Sequence, residues 1–218
     1  MDIEEYLLGD LDPLTLNDKI KDVQQRYEGL TFSHLPVVDN HIYLGCISEP
    51  DIRCFDTDHA ISEYQYALEG FFVRADTCWL DVLEVFAQNH TNIMPVLDEH
   101  NNYVGYYELG DIMNLFNETP FLSEPGNIVV LEKGALDYSL SEVSQIVESD
   151  SAKVLGIFIS KLERDIAQIT VKMGSGEMNR IIQSFRRYGY NVVSSHNEDS
   201  FMDNLRKRSQ YLEKYLGM

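Results

Sequence analysis

Ser48 and Asp51, three residues apart in "SEPD", close an apolar run and open a segment whose pattern predicts a helix. About sixty residues later Glu108 and Asp111, in "ELGD", hold the same two places. A short carboxylate at a helix start can accept hydrogen bonds from two vicinal sugar hydroxyls, and the free N–H groups of the first turn can face a phosphate. A serine adds a neutral donor there. A glutamate adds negative charge where an anion would sit. These residues therefore predict at most one good nucleotide site, built on Ser48 and Asp51. The same side chains can also cap their helices with no ligand present, and the two roles are compatible, because a capping carboxylate keeps its other oxygen.

The elements that must position these residues are spelled twice. Aligning Pro36 with Pro95 gives a period of 59 residues. "LPVVD", "DNH", "IYLGCIS" and "EPDIRCF" read as strand, turn, strand and helix start, and "MPVLD", "EHNN", "YVGYYE" and "LGDIMNLF" repeat that order. Ahead of each copy lies a helical pattern: Ile20, Val23 and Tyr27 in the first, Leu80, Leu83 and Phe86 in the second. A unit this small leaves one apolar sheet face bare, so the two copies are expected to pack sheet against sheet. Residues 117–127, "NETPFLSEPGN", concentrate proline, glycine and polar residues and mark a boundary. Beyond it the order βαββαβ predicts two helices on one face of a four-stranded antiparallel sheet. Leu140, Val143, Ile146 and Val147 face inward from one helix, and Ile181, Ile182 and Phe185 from the other. The last segment, with apolar residues at 201, 205, 212 and 216, predicts a terminal helix.

Composition limits what such a fold can do. Of 218 residues, 44% are hydrophobic and 24% charged, which fits a folded chain. The formal charge of -19 is uneven: residues 1–123 hold 23 acidic against 5 basic side chains, residues 124–218 hold 13 against 12. The acidic half should repel nucleic acid and anionic membrane. No segment reads as a signal or a membrane span, so a cytoplasmic protein is expected. Cys46, Cys54 and Cys78 form no CxxC pair and no disulfide framework.

The repeat with its "SEPD" and "ELGD" junctions resembles the tandem CBS, or Bateman, module. The βαββαβ unit with "KGALDYSLSEVSQIV" resembles an ACT domain, and the order of the three is similar to the acetoin utilisation AcuB-type proteins. The resemblance implies an α+β chain: a tandem CBS pair over 1–120 (units 1–62 and 63–120), a ferredoxin-like ACT-like domain over 126–197 and a C-terminal helix over 198–218. It also implies a homodimer that binds an adenosine-containing ligand. By family analogy the ligand contacts are Thr15, opening the first unit's helix, then His34, Leu35 and Pro36 at the strand entry, with Ser48 and Asp51; Asp111 matches in the second copy, where Glu108 departs from the pattern. Thr77, Asn92 and Met94 are the second copy's counterparts of the strand-entry and helix-start groups. Arg53 would serve a phosphate, or else a surface ion pair. For the ACT-like half the resemblance implies an amino acid near "EKGALDYS", where Gly134 permits close approach and Asp137 can meet an ammonium group; Lys133 stands where the family commonly has proline.

Scarce positive charge favours AMP, an adenosine-like ligand or S-adenosylmethionine over bare ATP, and the ligands to consider are AMP, ADP, ATP and S-adenosylmethionine. No GxSxG, HExxH or close His/Cys cluster is present, so neither catalytic residues nor a metal site or cofactor are expected. The histidines at 34, 41, 59, 90, 100 and 196 read mainly as packing and turn residues. The leading expectation is a non-enzymatic regulatory sensor. The alternative is a ligand-free structural or protein-interaction dimer module with an unidentified protein partner.

Overall fold

The computed structural model describes residues 3–195. The chain divides into two compact units, one ending at Phe116 and one beginning at Asn117. The first contains the repeat. Its first copy comprises β1 (Leu14–Thr15), α1 (Ile20–Glu28), β2 (His34–Asp39), β3 (Ile42–Ser48) and α2 (Glu49–Cys54). Its second comprises β4 (Val73–Arg74), α3 (Trp79–Asn89), β5 (Ile93–Leu97), β6 (Tyr103–Glu108) and α4 (Leu109–Glu118). Each copy forms a three-stranded sheet, β1-β2-β3 or β4-β5-β6, with a parallel first pair and an antiparallel second. The short strands β1 and β4 were not expected from the sequence, because two residues carry no periodicity.

β2 and β5 are buried along almost their whole length, which is why they read as unbroken apolar runs: helices cover one face and the other copy covers the opposite face. The two cores interlock. Ile93 and Tyr106 of the second copy pack in the first copy's cluster, and Cys46 of the first packs in the second's. In α3 the inward residues are Val82 and Phe86, whereas Leu80 is 55% exposed, so the expected Leu80–Leu83–Phe86 face is corrected by one position toward Val82.

The segment preceding each copy adds to the sheet of the other. Leu8 exchanges two main-chain hydrogen bonds with Tyr106, both 2.9 Å, and Glu69 exchanges two with Cys46, both 2.8 Å. Glycine makes both approaches feasible. A side chain at Gly45 would meet the Glu69 carbonyl, and one at Gly105 would meet the Leu8 carbonyl.

The second unit begins with the rest of the proline-rich stretch. This is not a bare linker, because α5 (Pro120–Ser123) packs within the unit, Phe121 meeting Phe158 with ring centroids 5.6 Å apart. Then follow β7 (Asn127–Gly134), α6 (Leu140–Ser149), β8 (Val154–Leu162), β9 (Ile166–Met173), α7 (Met178–Arg187) and β10 (Asn191–Ser195). The sheet order is β10-β7-β9-β8, antiparallel throughout. Val143, Ile146 and Val147 of α6 and Ile181, Ile182 and Phe185 of α7 bury against Val129, Leu131, Ile169 and Val171. On the other sheet face Gly156 leaves room for the Phe121 ring, and Lys172 lies over it, Nζ 5.9 Å from its centroid. The terminal helix expected over 198–218, and His196, lie outside the described residues. Among the described residues no helix is long and apolar enough to cross a membrane.

Candidate functional site

The first junction is assembled by the β2–β3 ladder, which sets His34 opposite Ser48. Ser48 is extended and N-caps α2. Its Oγ accepts the Asp51 N–H at 3.2 Å and donates to Asp51 Oδ2 at 2.8 Å. Pro50 occupies the first turn, where its missing N–H costs nothing. Among the described residues Asp51 Oδ1 takes no hydrogen bond. The capping role is therefore realised, and it leaves one carboxylate oxygen for a guest.

His34 is only 7% exposed. Its Nδ1 lies 2.8 Å from Ser33 Oγ, its Nε2 lies 3.2 Å from Glu69 Oε1, and its ring meets the edge of Phe71, with centroids 5.3 Å apart. Glu69 and Phe71 are thus neighbours of the junction that the sequence reading missed. They arrive with the crossing segment, and the glycine inside β3 was the available signal, since a mid-strand glycine marks a close backbone approach.

The other expected residues divide. Leu35 is sealed in the first core and Pro36 is buried opposite Cys46, so only their main chain is on offer. Thr15 does not open α1. It lies in β1 opposite Val38, roughly 13 Å along the ladder from the His34 end, and Lys19 takes the cap position. The correction has a local cause: the Thr15 N–H donates to Asp18 Oδ2 at 2.8 Å, which turns the chain before the helix begins. Arg53 lies along α2 and donates from Nε and Nη2 to Glu49 Oε1, at 3.1 and 2.6 Å, as an exposed ion pair.

At the second junction Ile93 stands opposite Glu108, with Asp111 three residues on. No serine cap is present, and the carboxylates gather: burial, then Asp111 and Asp10, hold the Glu108 carboxyl above its usual range. Tyr106 donates its hydroxyl to Asp10 Oδ1 at 2.8 Å. The second junction thus carries an additional carboxylate, Glu108, where the first has the neutral Ser48.

In the second unit the loop after β7 closes on itself. Asp137 N–H donates to the Gly134 carbonyl at 2.9 Å, and the Asp137 carboxylate folds back over Gly134. Lys133 is tied to Glu142 at 2.8 Å and lies over the Tyr190 ring, 4.1 Å from its centroid. The "GSG" at 174–176 is the turn between β9 and α7. Elsewhere, burial pushes the Cys46 thiol up to about 12, which keeps it protonated and unreactive. Among the described residues no three His, Cys, Asp or Glu side chains gather to hold a metal ion.

Residues 71–118 match the family model of the CBS domain. The match falls on the second copy, from the crossing segment through α4, and the first unit is a tandem pair built from two copies of that pattern. Among curated proteins, none matches the chain. Among solved structures the chain is similar to a CBS domain pair/ACT domain protein from Thermotoga maritima, at 19% identity and a TM-score of 0.49 over 54% of this chain and 98% of that one. It is also similar to the CBS domains of a transcriptional regulator from Streptococcus pneumoniae (17% identity, TM-score 0.47, 52% and 98% covered). A third is the cytosolic domain of the Mg2+ channel MgtE in complex with ATP (19% identity, TM-score 0.44, 50% and 46% covered).

Proposed function

We propose that the protein is a non-enzymatic regulatory sensor in which the first CBS junction holds an adenosine-containing ligand. The observation that carries the reading is the contrast between the two junctions of one repeat. Ser48 and Asp51 present a neutral hydroxyl and a carboxylate with a free oxygen, whereas Glu108 crowds the matching place with charge. Asp51 would accept ribose hydroxyls through its other oxygen, whereas the start of α2 has little to offer a phosphate: the Glu49 N–H donates to the Ser33 carbonyl, Pro50 has none and the Asp51 N–H donates to Ser48 Oγ. Arg53 would have to leave Glu49 to help. Because the other arginines of the acidic half are engaged elsewhere, Arg26 with the Asp12 carbonyl and Arg74 with Asn101, AMP or S-adenosylmethionine suits this site better than ADP or ATP.

In this reading the second unit is an ACT-like domain. The strand order β10-β7-β9-β8, with the two strands that lead into helices at the centre, supports a ferredoxin-like reading, and the order of the units along the chain resembles that of the AcuB-type proteins. The protein works as a cytoplasmic homodimer, and ligand binding biases the ACT-like half toward a partner.

Titration calorimetry of the full chain with AMP, ADP, ATP and S-adenosylmethionine tests the site. Saturable heat is expected with AMP or S-adenosylmethionine, and Asp51→Ala should weaken it at least about tenfold, the loss of one charged hydrogen-bonding partner. Absence of saturable binding with all four ligands would rule the sensor out. It would leave the ligand-free interaction module, which the acidic second junction favours.

A further inference from the structure

Asp150 stands where a helix least favours a carboxylate. It caps the C-terminus of α6, at the negative end of that helix's dipole, with no basic residue in the last turn of α6, and its side chain is only 7% exposed. α7 supplies what offsets the charge. Arg180 Nε lies 2.7 Å from Asp150 Oδ1, and the Ser184 hydroxyl donates to Asp150 Oδ2 at 3.2 Å. Ser184, itself 6% exposed, accepts in turn from Arg187 Nη2 at 3.0 Å. Arg180, Ser184 and Arg187 fall at i, i+4 and i+7, so one buried acid draws two guanidinium groups and a hydroxyl onto one stripe of α7.

That stripe lines a cleft of about 210 Å³ between α6 and α7, inside the second unit. Arg180 is matched by Asp150. Among the described residues Arg187 has no carboxylate partner, and neither the Gln145 amide nor the Tyr188 hydroxyl, which also line the cleft, makes a hydrogen bond. A cation in the last turn of α7 suits that helix's dipole with no guest, but the dipole does not explain why a buried serine ties Arg187 to the cleft. Charge and size then select a guest. Three cations, Arg180, Arg187 and the Lys133 bonded to Glu142, meet two carboxylates, Asp150 and Glu142, which leaves one positive charge for a monoanion to balance. Both carboxylates are engaged, so an ammonium group finds no free acid, whereas a hydroxyl can meet Gln145 or Tyr188. The volume holds roughly seven water-sized groups.

We propose that the α6–α7 cleft binds a small hydroxycarboxylate monoanion, its carboxylate on the Arg187 guanidinium and its hydroxyl on the Gln145 amide or the Tyr188 hydroxyl. The site uses no residue of the Ser48–Asp51 junction and stands whether or not that junction takes a nucleotide.

Amide NMR spectra of the isotope-labelled full chain, titrated with sodium lactate at constant ionic strength, provide the test. The comparison solutes are alanine, which has lactate's shape with an ammonium in place of the hydroxyl, acetate, which lacks the hydroxyl, and sodium chloride. Saturable shifts confined to residues of α6 and α7 are expected, with lactate held more tightly than the other three. Arg187→Gln should weaken lactate at least about tenfold, the loss of a charged hydrogen-bonding partner, and Asp51→Ala should leave it unchanged. Arg187→Lys keeps the charge but not the planar fork, and should bind between the parent and Arg187→Gln. The spectra themselves report folding, and Arg187→Lys decides the matter if the neutral variant unfolds. Shifts that grow without saturating, an equal response to alanine or chloride, or undiminished affinity in a folded Arg187 variant would overturn the proposal.

Discussion

Ser33 and Asn92, 59 residues apart and at matching places in the two copies, bond to each other. The Ser33 N–H donates to Asn92 Oδ1 at 2.8 Å, and the Asn92 N–H donates to Ser33 Oγ at 3.2 Å. The exchange joins the two strand entries directly. Asn92 Nδ2 then reaches the Thr31 carbonyl at 2.8 Å, and the next residues, His34 and Ile93, stand opposite the two junctions.

Because the Ser33 N–H is part-buried and its acceptor is the Asn92 side chain, Asn92→Ala should lower unfolding stability by about 1–3 kcal/mol, the cost of an orphaned donor. Asn92→Asp keeps an acceptor for Ser33 and should lose less. Urea denaturation of both variants decides the matter; equal stability of Asn92→Ala and the parent would show that the joint carries no weight.

Glu108 is held above the ordinary carboxylate range by burial and by Asp111 and Asp10. A raised carboxyl binds more protons in the folded than in the unfolded chain, so it penalises the fold at pH values above its folded pKa, and the penalty fades as pH falls toward the unfolded value. Glu108→Gln should therefore stabilise the protein near neutral pH by on the order of 0.5 kcal/mol, a modest amount for a partly exposed charge. The gain should shrink on acidification. Thermal melts at a series of pH values check the sign, and a gain that grows as pH falls would contradict it.

Gly156 lies against the ring of Phe121, closer than any side chain at that position could sit. Gly156→Ala should cost about 1–3 kcal/mol through overpacking. In a Phe121→Ala background the same substitution should cost far less, because the obstructing ring is gone. A double-mutant cycle by denaturant titration measures the coupling. Additive effects would mean that α5 does not rest on this strand.

Much of the fold is legible because periodicity is local. The helical faces Val143–Ile146–Val147 and Ile181–Ile182–Phe185 are where their spacing puts them, and the serine that caps α2 is recognisable from its place before a proline-containing first turn. The candidate site was readable in its core, Ser48 and Asp51, because both belong to one junction of consecutive residues. Thr15 misled because distance in sequence from a helix start does not reveal that Asp18 turns the chain first. Arg53 is in place but spoken for, since Glu49 lies one helical turn away on the same face.

The amino-acid sequence by itself determined the repeat, the acidic character of its half, and the serine-for-glutamate difference between the two junctions, since each is a property of residues close together in the chain. Only the tertiary structure decided that Leu8 and Glu69 cross to the opposite sheet, that Glu69 and Phe71 flank His34, and that Asp150 meets Arg180 and Ser184 beside a cleft between α6 and α7. These depend on hydrogen bonds and packing between residues dozens of positions apart, which no local periodicity encodes.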